Sequence, residues 1–264
     1  MKYIDTHTHL NYSPLVSEVD QIIKKLEEKE IWANIVGCNK STSLLAVKQA
    51  KLSPNLFCSI GIHPNDIDEW TDTNEMITFL ESLYLENKEK ILCVGECGLD
   101  FYYQNDEQTK KRQEEFFIAQ IKFASKYKLP IMMHIRNAFS EAYEIIKKYN
   151  NLLENWIVHC FNGNKLEAEK YLELGCFLSI PGIVTFSNAN DLREAVKIIP
   201  INRMLTETDA PWLAPIPYRG KTNYPFYVIE TNNFISQLLD LPRDVLNNQL
   251  IKNACIALKI NVKI

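Results

Sequence analysis

The chain has 264 residues, 46% of them hydrophobic and 23% charged, and a net charge of −4. That balance describes a globular protein with ample core, and it excludes a generally basic surface that would hold nucleic acid by charge alone. No apolar run approaches the ~20 residues of a membrane span, and Met1-Lys2-Tyr3-Ile4-Asp5 reads straight into a strand instead of a signal peptide, so a cytoplasmic location is expected.

The predicted elements alternate from the start. A strand at 3–7 is followed by a helix at 16–29, a strand at 33–38 by a helix at 43–52, and a strand at 56–62 by a helix at 74–86. The pattern continues with strand 91–96 and helix 107–127, strand 130–134 and helix 138–149, strand 156–160 and helix 165–174. Strand 177–180 with helix 189–199 and strand 204–208 with helix 225–239 complete it, and a further helix at 246–258 closes the chain. Several strands are apolar throughout, as expected of parallel strands covered on both faces. Pro130 opens a strand after the basic helix end Lys126-Tyr127-Lys128, and Asn190-Asp191 starts a helix that finishes near Pro200. About eight β-α repeats in a chain of this length predict an α/β fold, a (β/α)₈ TIM barrel, and no linker divides 1–264 into more than a single domain.

All five histidines fall where an apolar run gives way to a loop: His7, His9, His63, His134 and His159. Glu96 and Asp209 hold the same kind of position. Parallel strands would bring these side chains to one carboxyl edge, where imidazoles mixed with carboxylates predict a metal centre. His7 and His9, two apart on a strand, point to one face. His7, His9, Glu96, His134, His159 and Asp209 are too many for one tetrahedral zinc and enough for two divalent ions, with Glu96 suited to bridge them. Asp209 is expected to ligate one ion and to take the proton of the attacking water, so Glu96 and Asp209 carry the catalysis. His63 is assigned to substrate contact. No lysine stands at a comparable strand end, and no GxSxG elbow, GxxxxGK[ST] loop or GxGxxG turn is present. The seven cysteines lack paired CxxC spacing and read as buried small hydrophobes; Cys97 and Cys160, each next to a candidate ligand, are expected to pack behind it.

These motifs together resemble the TatD-type metal-dependent deoxyribonucleases of the amidohydrolase superfamily. The resemblance runs through Asp5-Thr6-His7-Thr8-His9-Leu10, Gly61-Ile62-His63-Pro64 and Val94-Gly95-Glu96-Cys97-Gly98-Leu99-Asp100. It continues at His134, at His159-Cys160-Phe161 and at Thr206-Glu207-Thr208-Asp209-Ala210-Pro211-Trp212. It implies a TIM barrel hydrolysing DNA phosphodiesters, with His7, His9 and Asp209 on one ion, His134 and His159 on the other, and Glu96 between. It also implies removal of nucleotides from the 3′ side of single-stranded or frayed ends, with Mg²⁺ as the usual ion, whereas an imidazole-rich site by itself favours Zn²⁺ or Mn²⁺. The chain departs from the family pattern at Asn65, Asn137, Thr222 and Tyr224.

Arg136, Arg219 and Lys221 are the expected phosphate contacts, and Trp212, with Tyr102, Tyr103 and Phe161, offers stacking surface for bases. The partner expected is a DNA substrate, with no membrane and no obligate protein. Two alternatives remain at this point. The same site would serve another bond, such as a D-aminoacyl-tRNA ester or a small-molecule amide, or the barrel would bind nucleic acid without catalysis.

Overall fold

The computed structural model describes residues 1–103 and 105–261. Eight parallel strands run in sequence order: β1 Tyr3–Thr8, β2 Ile31–Val36, β3 Leu56–Ile60, β4 Ile91–Asp100, β5 Ile131–Arg136, β6 Trp156–Val158, β7 Phe177–Ile180 and β8 Met204–Thr206. The barrel closes just past β8, where Thr8 bridges Ala210 in parallel and the Asp209 N–H donates to His7 O at 2.9 Å. Outside run α1 Val19–Glu28, α2 Lys40–Ala50, α3 Thr73–Glu86, α4 Glu107–Tyr127, α5 Phe139–Tyr149, α6 Lys165–Glu173, α7 Asn190–Ile198, α8 Val228–Leu238 and α9 Arg243–Ala257.

Side-chain caps fix the starts of α2, α3, α4 and α6. Asp72 accepts from the N–H groups of Asn74 and Glu75 before α3, and Asp106 from Thr109 before α4. Asn39 with Thr42 and Asn164 with Glu167 form capping boxes that open α2 and α6. Two apolar cores result. One lies between the sheet and its helices. The other gathers Ile4, Cys93, Met132, Ile157, Phe177 and Leu205 from six strands against Ile251, Ala254 and Ala257 of α9. Helix α9 packs on β1 and β8.

The expected barrel is present, and its element ends differ from the sequence reading in ways that matter. Leu15–Ser17 is a 3₁₀ turn, so the helix expected from 16 begins at Val19, and Pro225–Tyr227 likewise forms a 3₁₀ turn ahead of α8. Strand β2 ends at Val36, β6 at Val158 and β8 at Thr206, which puts His159 and Asp209 in the turns that follow. Strand β4 runs on to Asp100, so Glu96 lies inside a strand instead of at its end. The extension is possible because β4 pairs with β5 as far as Asp100↔Arg136, after a register slip between Val94 and Cys97.

Candidate metal centre

The site is built on irregular backbone. The β1–β2 register slips between Asp5 and Thr8, where His7 sits, and the β4–β5 slip spans Glu96. Such slips re-aim side chains that a regular pleat would send elsewhere. Two glycines permit the close β4–β5 approach. A Cβ on Gly95 (φ 153°) would meet Met132 O at 2.7 Å, and one on Gly98 (φ 139°) would meet His134 O at 2.1 Å. Asp5 fastens the other side, accepting from Thr208 Oγ1 and from the Thr208 N–H at 2.9 Å, which holds the Thr208-Asp209 turn against β1.

On this frame the structure brings His7, His9, Glu96, His134, His159 and Asp209 together. Glu96 turns its two oxygens to opposite sides. Oε2 is 3.4 Å from His7 Nε2 and 3.6 Å from His9 Nε2; Oε1 is 2.9 Å from both His134 Nδ1 and His159 Nε2. Asp209 Oδ1 completes the first side, 3.3 Å from His9 Nε2 and 3.7 Å from His7 Nε2. His63 belongs to the second side: its Nε2 is 3.5 Å from Glu96 Oε1, and it groups with Asp100 and His134 at ligand spacing.

The imidazoles are oriented from behind. His9 Nδ1 lies 3.0 Å from Val36 O, and only its N–H form makes that contact favourable, which leaves Nε2 a bare lone pair. His159 Nδ1 is held the same way by Glu207 Oε1 at 3.2 Å, a carboxylate that also accepts from the Cys160 N–H at 2.7 Å. Asp100 Oδ2 takes the outer nitrogen of His134 at 3.2 Å and accepts from the Asn65 side-chain amide, while its Oδ1 accepts from the Tyr102 N–H. The acceptor nitrogen of His9 faces His7 Nε2 at 2.9 Å and two carboxylates nearby. Converging lone pairs and carboxylates, each backed by a partner on its far side, fit divalent cations.

The electrostatics agree with that reading. Burial opposes charge on Glu96, but His159 beside it, with hydrogen bonds from His134 and His159, holds its carboxyl well below the usual range. Asp209 is likewise held low against burial, by His9 first and then His7. His159 is raised well above an ordinary imidazole despite its burial, because Glu96 and Glu207 flank it. Burial, followed by His134, presses His63 down to about 3, so it stays neutral. The Asn65 N–H donates to His63 Nδ1 at 3.1 Å, which leaves the ring proton on Nε2, facing the cluster.

A cavity of about 260 Å³ opens over the cluster, edged by Tyr12, Cys38, Asp66 and Trp212. Trp212 is half exposed, its ring 5.2 Å from His9 and 5.3 Å from Tyr12. Arg136 lies in a neighbouring cleft, and Arg219 and Lys221 sit on the exposed loop beyond Trp212, apart from the cavity wall, with Arg219 4.2 Å over the Phe186 ring.

Sequence reasoning gave no role to Asp100, Glu207 or Asp5, although all three stand inside the motifs it singled out. Among the cysteines, Cys38 was expected to be simple packing; instead its Sγ donates to Glu96 Oε2 at 3.4 Å, while the fully buried Cys97 packs in the core with its Sγ 3.8 Å from Met132 O.

The chain matches the family model described as TatD related DNase over residues 4–259. A metal-dependent hydrolase of Mycoplasma genitalium is 39% identical over 260 residues, covering 96% of this chain and 98% of its own. A metal-dependent hydrolase of Bacillus subtilis is 33% identical, covering 97% and 99%. Among solved structures, a TatD homologue from Escherichia coli superposes with a TM-score of 0.91 at 22% identity, covering 98% of this chain and 99% of that one.

Proposed function

The chain belongs to the TatD-related DNases, a family of metal-dependent hydrolases, and on that premise we propose that it hydrolyses DNA phosphodiester bonds as a 3′–5′ exonuclease on single-stranded or frayed ends. The observation that carries the reading is the division of Glu96, one oxygen toward His7 and His9 and the other toward His134 and His159. His7, His9 and Asp209 would hold one divalent ion, His134 and His159 a second, with Glu96 shared. Bound there, Mg²⁺, Mn²⁺ or Zn²⁺ would acidify a water and neutralise charge on phosphoryl oxygens.

The chain's own groups do the rest. Asp209 is ionised and lines the cavity, so it accepts the proton of the attacking water. His63 presents its Nε2–H to a phosphoryl oxygen and cannot take up a second proton in the neutral range. Trp212 stacks a base at the rim, and Arg219 and Lys221 meet phosphates farther along the strand.

The test is metal-stripped protein mixed with 5′-labelled single-stranded DNA, each ion being added separately. A metal-dependent ladder shortened from the 3′ end is expected. A strand left intact under all three ions would move the reading to an ester or amide substrate of the same site.

A further inference from the structure

Asp66 lines the cluster cavity, yet among the described residues it belongs to no ligand-spaced group. Its place follows from the local sequence His63-Pro64-Asn65-Asp66. Pro64 opens a 3₁₀ turn over Pro64–Glu69, soon after β3, and the Asp66 N–H donates to His63 O at 2.9 Å. Side chains three apart on such a turn eclipse, so Asp66 lies on the side of the turn that carries His63. The turn is anchored: Ile67 and Trp70 are buried, and Arg112 of α4 donates to Trp70 O at 2.6 Å.

Asp66 differs in kind from Asp209. It is half-buried, and the groups around it are Glu69 on its own turn, Tyr12 after β1, Cys38 and Asn39 after β2, and Glu96 of β4. None of these is a cation, and Arg112 is turned to Asp68 at 3.6 Å. Burial, followed by Glu69, raises the Asp66 pKa to about 6, with Asn39 pulling the other way. Those two causes do not depend on whether the cluster holds ions. Asp209, on the same cavity, is held low. Two carboxyls pushed apart in this way divide into a proton donor and a proton acceptor. A donor whose pKa lies near the working pH gives up its proton and regains it readily. The two also sit apart on the rim, Asp66 after β3 and Asp209 after β8, with β1 and β2 between. An in-line displacement needs that separation, because the attacking and leaving oxygens lie on opposite sides of phosphorus.

We propose that Asp66 is the general acid of the hydrolysis, the group that protonates the oxygen leaving phosphorus. The bond from the water oxygen to phosphorus forms as the bond to the leaving oxygen breaks. The water proton goes to Asp209, the Asp66 proton goes to the leaving oxygen, and exchange with solvent resets both carboxyls. The proposal rests on the function proposed above for the bond that breaks, and Asp66 is not among its metal ligands.

The test uses the full-length protein at saturating metal with two esters of thymidine 5′-monophosphate, the phenyl and the p-nitrophenyl. p-Nitrophenolate leaves without a proton, whereas phenolate gains from one. Wild type and Asp66→Asn are compared for kcat on each ester, for bound ion by equilibrium dialysis, and for cleavage of a 5′-labelled strand. Asp66→Asn is expected to lose about 10²-fold on the phenyl ester and less than about a tenth of that loss on the p-nitrophenyl ester, with bound ion unchanged. An equal loss on both esters, a loss of bound ion, or no hydrolysis of either ester by the wild type overturns the assignment. The expected ester pattern with the strand left intact keeps Asp66 as the acid and removes the DNase reading.

Discussion

The two oxygens of Glu96 face different imidazole pairs, the arrangement on which its proposed sharing between two cations rests. Glu96→Ala should therefore lower turnover by about 10³-fold or more and reduce bound metal, while far-UV circular dichroism stays that of the wild type; retained activity contradicts the shared-carboxylate assignment. Glu207 acts one layer back, through His159, so Glu207→Gln should weaken metal binding by about 10- to 100-fold, read by equilibrium dialysis against a buffered metal. The pH dependence follows from His134 and His159, both raised in the metal-free site against the effect of burial, His134 by Asp100 and Glu96, His159 by Glu96 and Glu207. Below those raised pKa values a proton occupies the ligand nitrogen and the metal must displace it. Apparent metal affinity therefore falls as pH falls, and loading near neutral pH releases protons. Titration calorimetry in two buffers of different ionisation enthalpy measures that release, and equal apparent enthalpies would contradict it. At this scale the convergence of the candidate ligands was legible because histidine is rare in the chain and each copy follows or ends an apolar run. Asp100 and Glu207 were not, since an aspartate or glutamate beside a strand has no signature until the imidazole it orients is located.

At the scale of elements, apolar runs revealed where strands begin but not where they stop. Strand β4 was expected to end at Glu96, yet it continues to Asp100 because Gly98 lets its backbone lie against His134 O. Stopping points of that kind depend on the neighbouring strand, which a local pattern does not record. Gly98→Ala would force a Cβ to 2.1 Å from that carbonyl at φ 139°, and should cost about 2–4 kcal/mol. Urea denaturation checks the loss, and a midpoint equal to wild type would show that β4 and β5 can separate freely. The register slips at His7 and Glu96 belong to the same class of feature. Both lie at the site and both aim candidate ligands; the slip at His7 has no mark in the sequence, whereas the one at Glu96 is flanked by Gly95 and Gly98, glycines inside a strand.

For the molecule as a whole, the repeat of strand and helix carried the barrel, and the barrel's geometry carried the convergence of distant motifs. Positions 7 and 209 meet because closure brings the turn after β8 onto β1, through Asp209 N–H to His7 O and Asp5 to Thr208. The exposed loop bearing Arg219 and Lys221 was less legible, since its distance from the cavity depends on a path of turns and not on periodicity. A site linking β1, β4, β5 and the turns after β6 and β8 makes metal binding a stability term for the entire barrel. Chelation should lower the melting temperature, and metal at about 1,000 times its Kd should restore about 4 kcal/mol. The most direct test of the whole account is a titration of metal-stripped protein in which bound ion and hydrolysis of 5′-labelled single-stranded DNA are followed in the same sample. Activity that reaches its plateau only at two equivalents, with strands shortened from the 3′ end, is the predicted result. A plateau at one equivalent, or strands intact at saturation, would contradict it.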